Sequence, residues 1–213
     1  MISSTHGIIL RTRPLTETSL IVHWLTPDLG RVATVAKGAR RPKSSYTGKL
    51  DLFYAADFSF TRSRTSELHN LREVKLQGTH SAIREDISKL QQAAYAAAFL
   101  EQATETESPL PEIFELVRSF LALLCQQPTL PQNIFALELK LLHQLGLEPD
   151  LEETRLTPGT KKIAQSLMES DWANGSRLKL SDAQNTELRH WLQGFLITHL
   201  GRLPRGRSSV LPG

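Results

Sequence analysis

Four of the seven residues from Lys37 to Lys43 are cationic: Lys37, Arg40, Arg41 and Lys43. No acid lies between Asp28 and Asp51 to neutralise them. Like charges held this close repel one another unless they point into water or meet an anion. Lys and Arg neutralise phosphates and release counterions, a binding mode that tolerates any base sequence. The stretch therefore reads as a phosphate-contacting loop, flexible at Gly38 and Ser44, with a merely solvated charged loop as the alternative. Single-strand binding also uses stacking platforms, each contributing about 1–3 kcal/mol per base. Trp24, Tyr46, Phe53 and Tyr54 are the nearby aromatics. Tyr46, set among polar residues, is the expected platform, whereas Trp24 reads as core.

Two further basic groups stand out. Arg11, Arg13, Arg62 and Arg64 fall on strand ends or turns, the last two in the hairpin-like "TRSRT". Arg202, Arg205 and Arg207 lie in "GRLPRGR", interrupted by Pro204 and Gly206. That segment reads as a basic tail over 201–213, either simply solvated, an auxiliary nucleic-acid contact, or a cradle for an acidic peptide.

Catalytic patterns are not found. The chain has no GxSxG nucleophile elbow and no GxxxxGK phosphate loop. Its seven histidines are scattered, with no HExxH and no Cys/His cluster to hold zinc. The one cysteine, Cys125, sits on an apolar helical face and reads as a small buried hydrophobe. The expectation is a protein that is not an enzyme and holds no cofactor.

The basic loop needs a scaffold, and the first 77 residues read as strands: 7–13, 18–26, 31–36, 52–62 and 68–76. Phe58 and Phe60 alternate inward. The fifth strand is ambiguous with a helix, because Leu68, Leu71 and Val74 are three apart. From about Ser81 the period turns helical. Ile83, Ile87, Leu90, Ala94, Ala97 and the following Phe99 and Leu100 fit one face. Further helices are expected at 111–126, 131–145, 157–170 and 181–200, the last opened by a Ser181/Gln184 capping box. The predicted class is α+β: a five-stranded barrel at 1–80 and an all-helical domain at 81–213. An OB-fold barrel suits the pattern, with the basic segment next to its ligand-binding strands. An SH3-like barrel would give a similar pattern.

Charge supports two modules. Residues 1–80 hold 12 Lys/Arg against 6 Asp/Glu, residues 81–150 hold 4 against 10, and residues 151–213 hold 9 against 6. No apolar run approaches the roughly 20 residues of a membrane span, and the N-terminus carries no signal-peptide pattern. With one cysteine, the expected location is the cytosol.

The stretches "GIILRTRPLTETSLIVHWLTPDLGRVATVAKGARRPKS", "GKLDLFYAADFSF" and "ELHNLREVKL" resemble the N-terminal OB domain of the RecO family of DNA repair proteins. "FALELKLLHQLGLEPDL" resembles the family's helical region more loosely. The resemblance implies a recombination mediator. Such a protein binds single- and double-stranded DNA, anneals complementary strands, and helps load the recombinase onto DNA coated by single-strand-binding protein. The residues expected to meet DNA are Lys37, Arg40, Arg41, Lys43, Tyr46 and Lys49, with Arg11, Arg13, Arg62 and Arg64 either further phosphate contacts or a solvated set at a hairpin tip. The implied partners are RecR and the acidic C-terminal tail of single-strand-binding protein, the latter at Arg202, Arg205 and Arg207. The implied location is the cytoplasm, at the nucleoid. Many family members carry a four-cysteine zinc module after the "LGLEPDL" stretch. Residues 152–180 contain no cysteine, so no zinc is expected, and that segment must be held by packing alone or be partly mobile. The charge pattern alone also fits an RNA-binding adaptor with a helical protein-interaction domain.

Overall fold

The computed structural model describes residues 2–211. Its strands are β1 (Ile2–Pro14), β2 (Leu20–Thr26), β3 (Gly30–Ala36), β4 (Ala55–Thr61) and β5 (Leu68–Gly78). They form a closed barrel in the order β1-β2-β3-β5-β4. Neighbours are antiparallel except β3 and β5, which run parallel through Ala33↔Leu68, Thr34↔His69 and Val35↔Asn70. This is the five-stranded Greek-key barrel of the OB-fold, which decides between the two barrels the sequence allowed. Closure leaves no open sheet edge.

The barrel core is Ile9, Val22, Trp24, Val32, Phe58, Phe60, Leu71 and Val74, together with Ala36 and Ala56. Trp24 is fully buried. Its Nε1 donates to Thr34 Oγ1 at 2.8 Å, which removes the cost of burying an indole N–H, and its ring stacks on Phe58 at 4.0 Å. The three-residue spacing of β5 has a local cause. Ser59 pairs with Glu73 but Phe60 with Leu71, so Arg72 is the extra residue of a bulge. The bulge lets Leu71 and Val74 both face inward. β4 starts later than expected because Phe53 has φ +63°, a left-handed conformation that no strand continues through. It is held there by its N–H to Ile9 O at 2.8 Å.

The helices among the described residues are α1 (Ile87–Ala103), α2 (Pro111–Gln126), α3 (Pro131–Gln144), α4 (Pro158–Glu169), α5 (Trp172–Arg177), α6 (Asp182–Leu200) and α7 (Arg207–Val210). Asp86 caps α1, and the Ser181/Gln184 capping box opens α6. Gly146 follows α3 at φ +70°, where a left-handed residue ends a helix. No helix among them is long and apolar enough to cross a membrane.

The chain forms two compact units, residues 1–81 with 105–118, and residues 82–104 with 119–213. Residues 105–118 group with the barrel because Glu107 N–H donates to Arg31 O at 3.0 Å and Leu110 N–H to Pro27 O at 3.1 Å. The Glu107 carboxylate also reaches His69 at 2.9 Å and Arg62 at 3.3 Å.

In the second unit the buried face of α1 is Ala93, Tyr95, Ala96, Ala97, Phe99 and Leu100. Of the expected face, Ile83, Ala97, Phe99 and Leu100 are buried, whereas Ala94 and Ile87 are exposed. Cys125 is half-buried rather than buried. Residues 152–180 are ordered into α4 and α5. The positive N-terminal end of α4 meets Glu187 of α6, whose Oε1 accepts from Thr157 N–H at 2.6 Å. Its negative C-terminal end meets Lys140 of α3, whose Nζ donates to Met168 O and Ser170 O, both at 2.7 Å. Opposite charges at the two ends of a helix complement its macrodipole. Trp172 Nε1 donates to Ser119 Oγ at 2.8 Å and fixes α5.

The basic tail expected over 201–213 is corrected. Residues 207–210 form α7, and Arg207 is 4% exposed. Its Nε donates to Glu138 Oε1 at 2.7 Å and a terminal nitrogen to Glu138 Oε2 at 3.1 Å. A buried Arg paired in this two-pronged way is committed to its carboxylate. Arg207 is therefore a structural residue and not part of a surface cradle for a partner. Arg202 and Arg205 stay exposed. Residues 212 and 213 lie outside the described residues.

Candidate nucleic-acid interface

The basic stretch lies in the long connection between β3 and β4, residues 37–54. It is a chain of turns rather than a flexible loop. Arg41 N–H donates to Gly38 O at 3.1 Å, Ser44 N–H to Arg41 O at 3.1 Å, Thr47 N–H to Ser44 O at 3.2 Å and Lys49 N–H to Tyr46 O at 3.0 Å. Gly38 and Gly48, both at φ +72°, supply the left-handed positions this winding needs. Lys37, Arg41 and Lys43 project into solvent. Arg40 differs. Its N–H donates to Thr18 O and its guanidinium to Thr16 O, both at 3.0 Å, which ties the β1–β2 connection to the loop. It combines an exposed charge with a structural contact.

Tyr46 is half-buried against the barrel core. Its hydroxyl lies 3.0 Å from both Leu71 O and Arg72 O, and burial raises its pKa. The ring is thus fixed on the barrel rather than free in the loop. It forms part of the wall of two cavities. One, of about 460 Å³, also includes Lys49, Arg72 and Lys75. The other, of about 350 Å³, is lined by Arg40, Arg41, Pro42, Tyr46, Leu50 and Tyr54, with Leu20 of β2.

The second basic set divides. Arg11 and Arg13 share the outer face of β1–β2–β3 with two residues that sequence reasoning passed over, His23 and Arg31. Arg11 pairs with His23, and Leu25 with Arg31, in the strand registers. With Glu67 and Glu107 they line a cavity of about 430 Å³. Burial, and then the charges of Arg11, Arg13 and Arg31, lower the His23 pKa from 6.5 to about 4. The signal was present: His23 lies between the inward Val22 and Trp24, so period-2 alternation points it outward. Arg62 is paired with Glu107 and sits 6.0 Å over the Phe60 ring, while Arg64 is exposed at the β4–β5 turn.

No group of three or more His, Cys, Asp or Glu among the described residues is placed to hold a metal ion.

The arrangement of the first unit, a closed five-stranded Greek-key barrel with a wound cationic loop between its third and fourth strands, places it in the OB-fold class. The chain belongs to the recombination protein O (RecO) family: the family's N-terminal region matches residues 1–80 and its C-terminal region residues 84–154. Among similar proteins, the DNA repair protein RecO of Bacillus subtilis is 34% identical over 152 residues, which cover 71% of this chain and 58% of that protein. That of Rhodopirellula baltica is 32% identical over 143 residues, 67% of this chain and 53% of that protein. That of Alkaliphilus metalliredigens is 25% identical across 95% of this chain and 96% of its own length. The chain spans a little over half the length of the first two.

Proposed function

We propose that this protein acts in DNA repair as a DNA-binding recombination mediator. In this reading it holds single- and double-stranded DNA on the barrel, anneals complementary strands, and helps load the recombinase onto strands coated by single-strand-binding protein. The observation that carries the reading is the exposed trio Lys37, Arg41 and Lys43 on a wound loop of an OB barrel, in a chain whose relatives bear the name DNA repair protein RecO. Phosphate contacts of this kind position the strand and carry no base information. Arg11, Arg13 and Arg31 extend the cationic surface across β1–β3, and Arg64 and Lys49 are further phosphate contacts. Arg40 and Arg62 contribute charge while also holding the barrel's loops. RecR and the acidic tail of single-strand-binding protein are the proposed partners, with Arg202 and Arg205 as contacts for the tail. The setting is the cytoplasm at the nucleoid, without catalysis by the chain itself.

The test is annealing of complementary strands in the presence of the cognate single-strand-binding protein, with matched RNA strands in parallel. Acceleration of DNA annealing that is lost in a Lys37/Arg41/Lys43 to Gln variant supports the reading. Equal or better action on RNA would favour the adaptor alternative, because only RNA offers the 2′-OH contact.

A further inference from the structure

The approximately 350 Å³ cavity inside the β3–β4 loop differs from the cationic surface around it. About half of its lining is apolar. Leu20, Ala39, Tyr46, Leu50 and Tyr54 all pack against the barrel core, yet each stays partly uncovered. Five partly exposed apolar side chains converging on one hollow leave apolar surface in water, which is unfavourable unless something covers it. Its rim is Arg40 and Arg41. Asp51, also on the lining, accepts Leu52 N–H at 2.8 Å and puts a negative charge there that disfavours a phosphate inside.

The walls are preformed. Tyr46 is anchored through its hydroxyl to the β5 backbone, and Arg40 is anchored to the β1–β2 connection. Tyr54 O accepts from Ile9 N–H at 2.9 Å, tying that wall to β1. Binding a ligand between fixed walls avoids the ordering cost that a mobile loop carries.

We propose that this hollow is a nucleobase pocket: one unpaired base of a bound single strand enters between the Tyr46 and Tyr54 walls while its flanking phosphates meet Arg40 and Arg41. This deepens the DNA-binding reading and rests on it. The chemistry selects the occupant. Aromatic walls match the flat face of any base. The guanidinium rim matches the phosphates on either side, and the lining carboxylate repels a phosphate oxygen from the interior. A base locked in a duplex stack cannot enter, so the pocket distinguishes single from double strands.

The experiment compares the full chain's affinity for a 20-nucleotide single strand and for an abasic strand of the same length, which keeps every phosphate and lacks the bases. Wild type binds the intact strand about fivefold or more tightly, the low end of what one stacked base contributes. Both strands give the same salt slope, because stacking releases no counterions. Ala39→Leu, which fills the hollow, and Tyr54→Leu, which removes a ring, each bring the ratio close to one with the slope unchanged. Ala39→Leu removes no core atom, so it stands even where Tyr54→Leu fails to fold. Equal wild-type affinity for the two strands would overturn the pocket and leave phosphate-based DNA binding intact. A preference that survives Ala39→Leu would also overturn it. Failure to bind either strand would overturn the DNA-binding reading together with the pocket.

Discussion

Arg207 and Glu138, 69 residues apart in the chain, form a buried ion pair with side chains 4% and 0% exposed. Tyr95 donates its hydroxyl to Glu138 Oε1 at 2.5 Å, and Arg207 donates to Arg189 O at 3.2 Å. The pair fastens the C-terminal α7 against α1 and α3, and burial with the neighbouring Glu138 charge pushes the Tyr95 hydroxyl well above its usual pKa.

Breaking one side of this pair strands a buried charge. Arg207→Ala or Glu138→Ala is expected to cost about 3–5 kcal/mol, whereas replacing both by apolar residues of similar volume costs far less. Urea unfolding of the two single variants and the Arg207→Met/Glu138→Leu double variant measures the difference. Single variants as stable as wild type would show that α7 is not held by this pair.

Lys140→Met removes the donors that satisfy Met168 O and Ser170 O. A loss of about 1–3 kcal/mol is expected from two carbonyls left without their charged partner. The effect should concentrate in α4 and α5, so hydrogen exchange there should accelerate more than in the barrel. Uniform acceleration would mean that Lys140 supports the whole chain rather than this segment.

His23 supplies a pH dependence with a defined sign. Its folded pKa of about 4 lies below the usual 6.5, because of burial and then Arg11, Arg13 and Arg31. Between those values the unfolded chain binds the proton and the folded chain does not. Its contribution is therefore steady above pH 6.5 and is lost as pH falls from 6.5 toward 4. Glu67 and Glu107 line the same cavity and oppose the arginines. The difference in urea midpoint between wild type and His23→Gln should be constant above pH 6.5 and shift in the variant's favour as pH falls toward 4, the variant losing less stability on acidification. Parallel pH curves would remove His23 from the account.

The loop cations should separate into two kinds. If Lys37, Arg40, Arg41 and Lys43 each met one phosphate, the log–log salt slope for single-stranded DNA would be about −3. Lys37/Arg41/Lys43 to Gln is expected to reduce its magnitude by about 2, with stability changed by less than about 0.5 kcal/mol. Arg40→Ala should instead lose about 1 kcal/mol of stability, because it releases Thr16 O. An unchanged slope in a folded triple variant would place these cations away from the strand.

Much of the barrel was legible because its strands obey a period of two and its turns carry Gly and Pro. Phe58, Phe60 and Trp24 fall inward as alternation requires. Legibility failed where one residue breaks the period. Arg72 in its bulge made β5 look half helical, and the left-handed Phe53 shortened β4. The helical unit was legible at its caps, such as Ser181/Gln184 and Gly146, which are local. The inward place of Tyr95 on α1 was not, because its partner Glu138 lies 43 residues away. Arg207 was misread for the same reason: nothing near it in the chain announces a buried carboxylate. The cationic loop was legible as charge, but the tie of Arg40 to Thr16 and the anchoring of Tyr46 depend on the barrel's closure.

That closure also has a consequence for synthesis. The first half of β1 pairs with β4, from Ile2↔Thr61 to Ile8↔Ala55. As the ribosome delivers the chain, β1 must wait for about 50 further residues before this partner emerges, on the order of 3–10 s at typical elongation rates. During that interval its open edge is a template for pairing with other nascent chains. The waiting stretch contains Ser3, Ser4, Thr5 and His6, four consecutive polar residues in a strand whose later half holds Ile8, Ile9 and Leu10. Polar residues along that stretch favour its hydration over pairing with another apolar strand until β4 arrives.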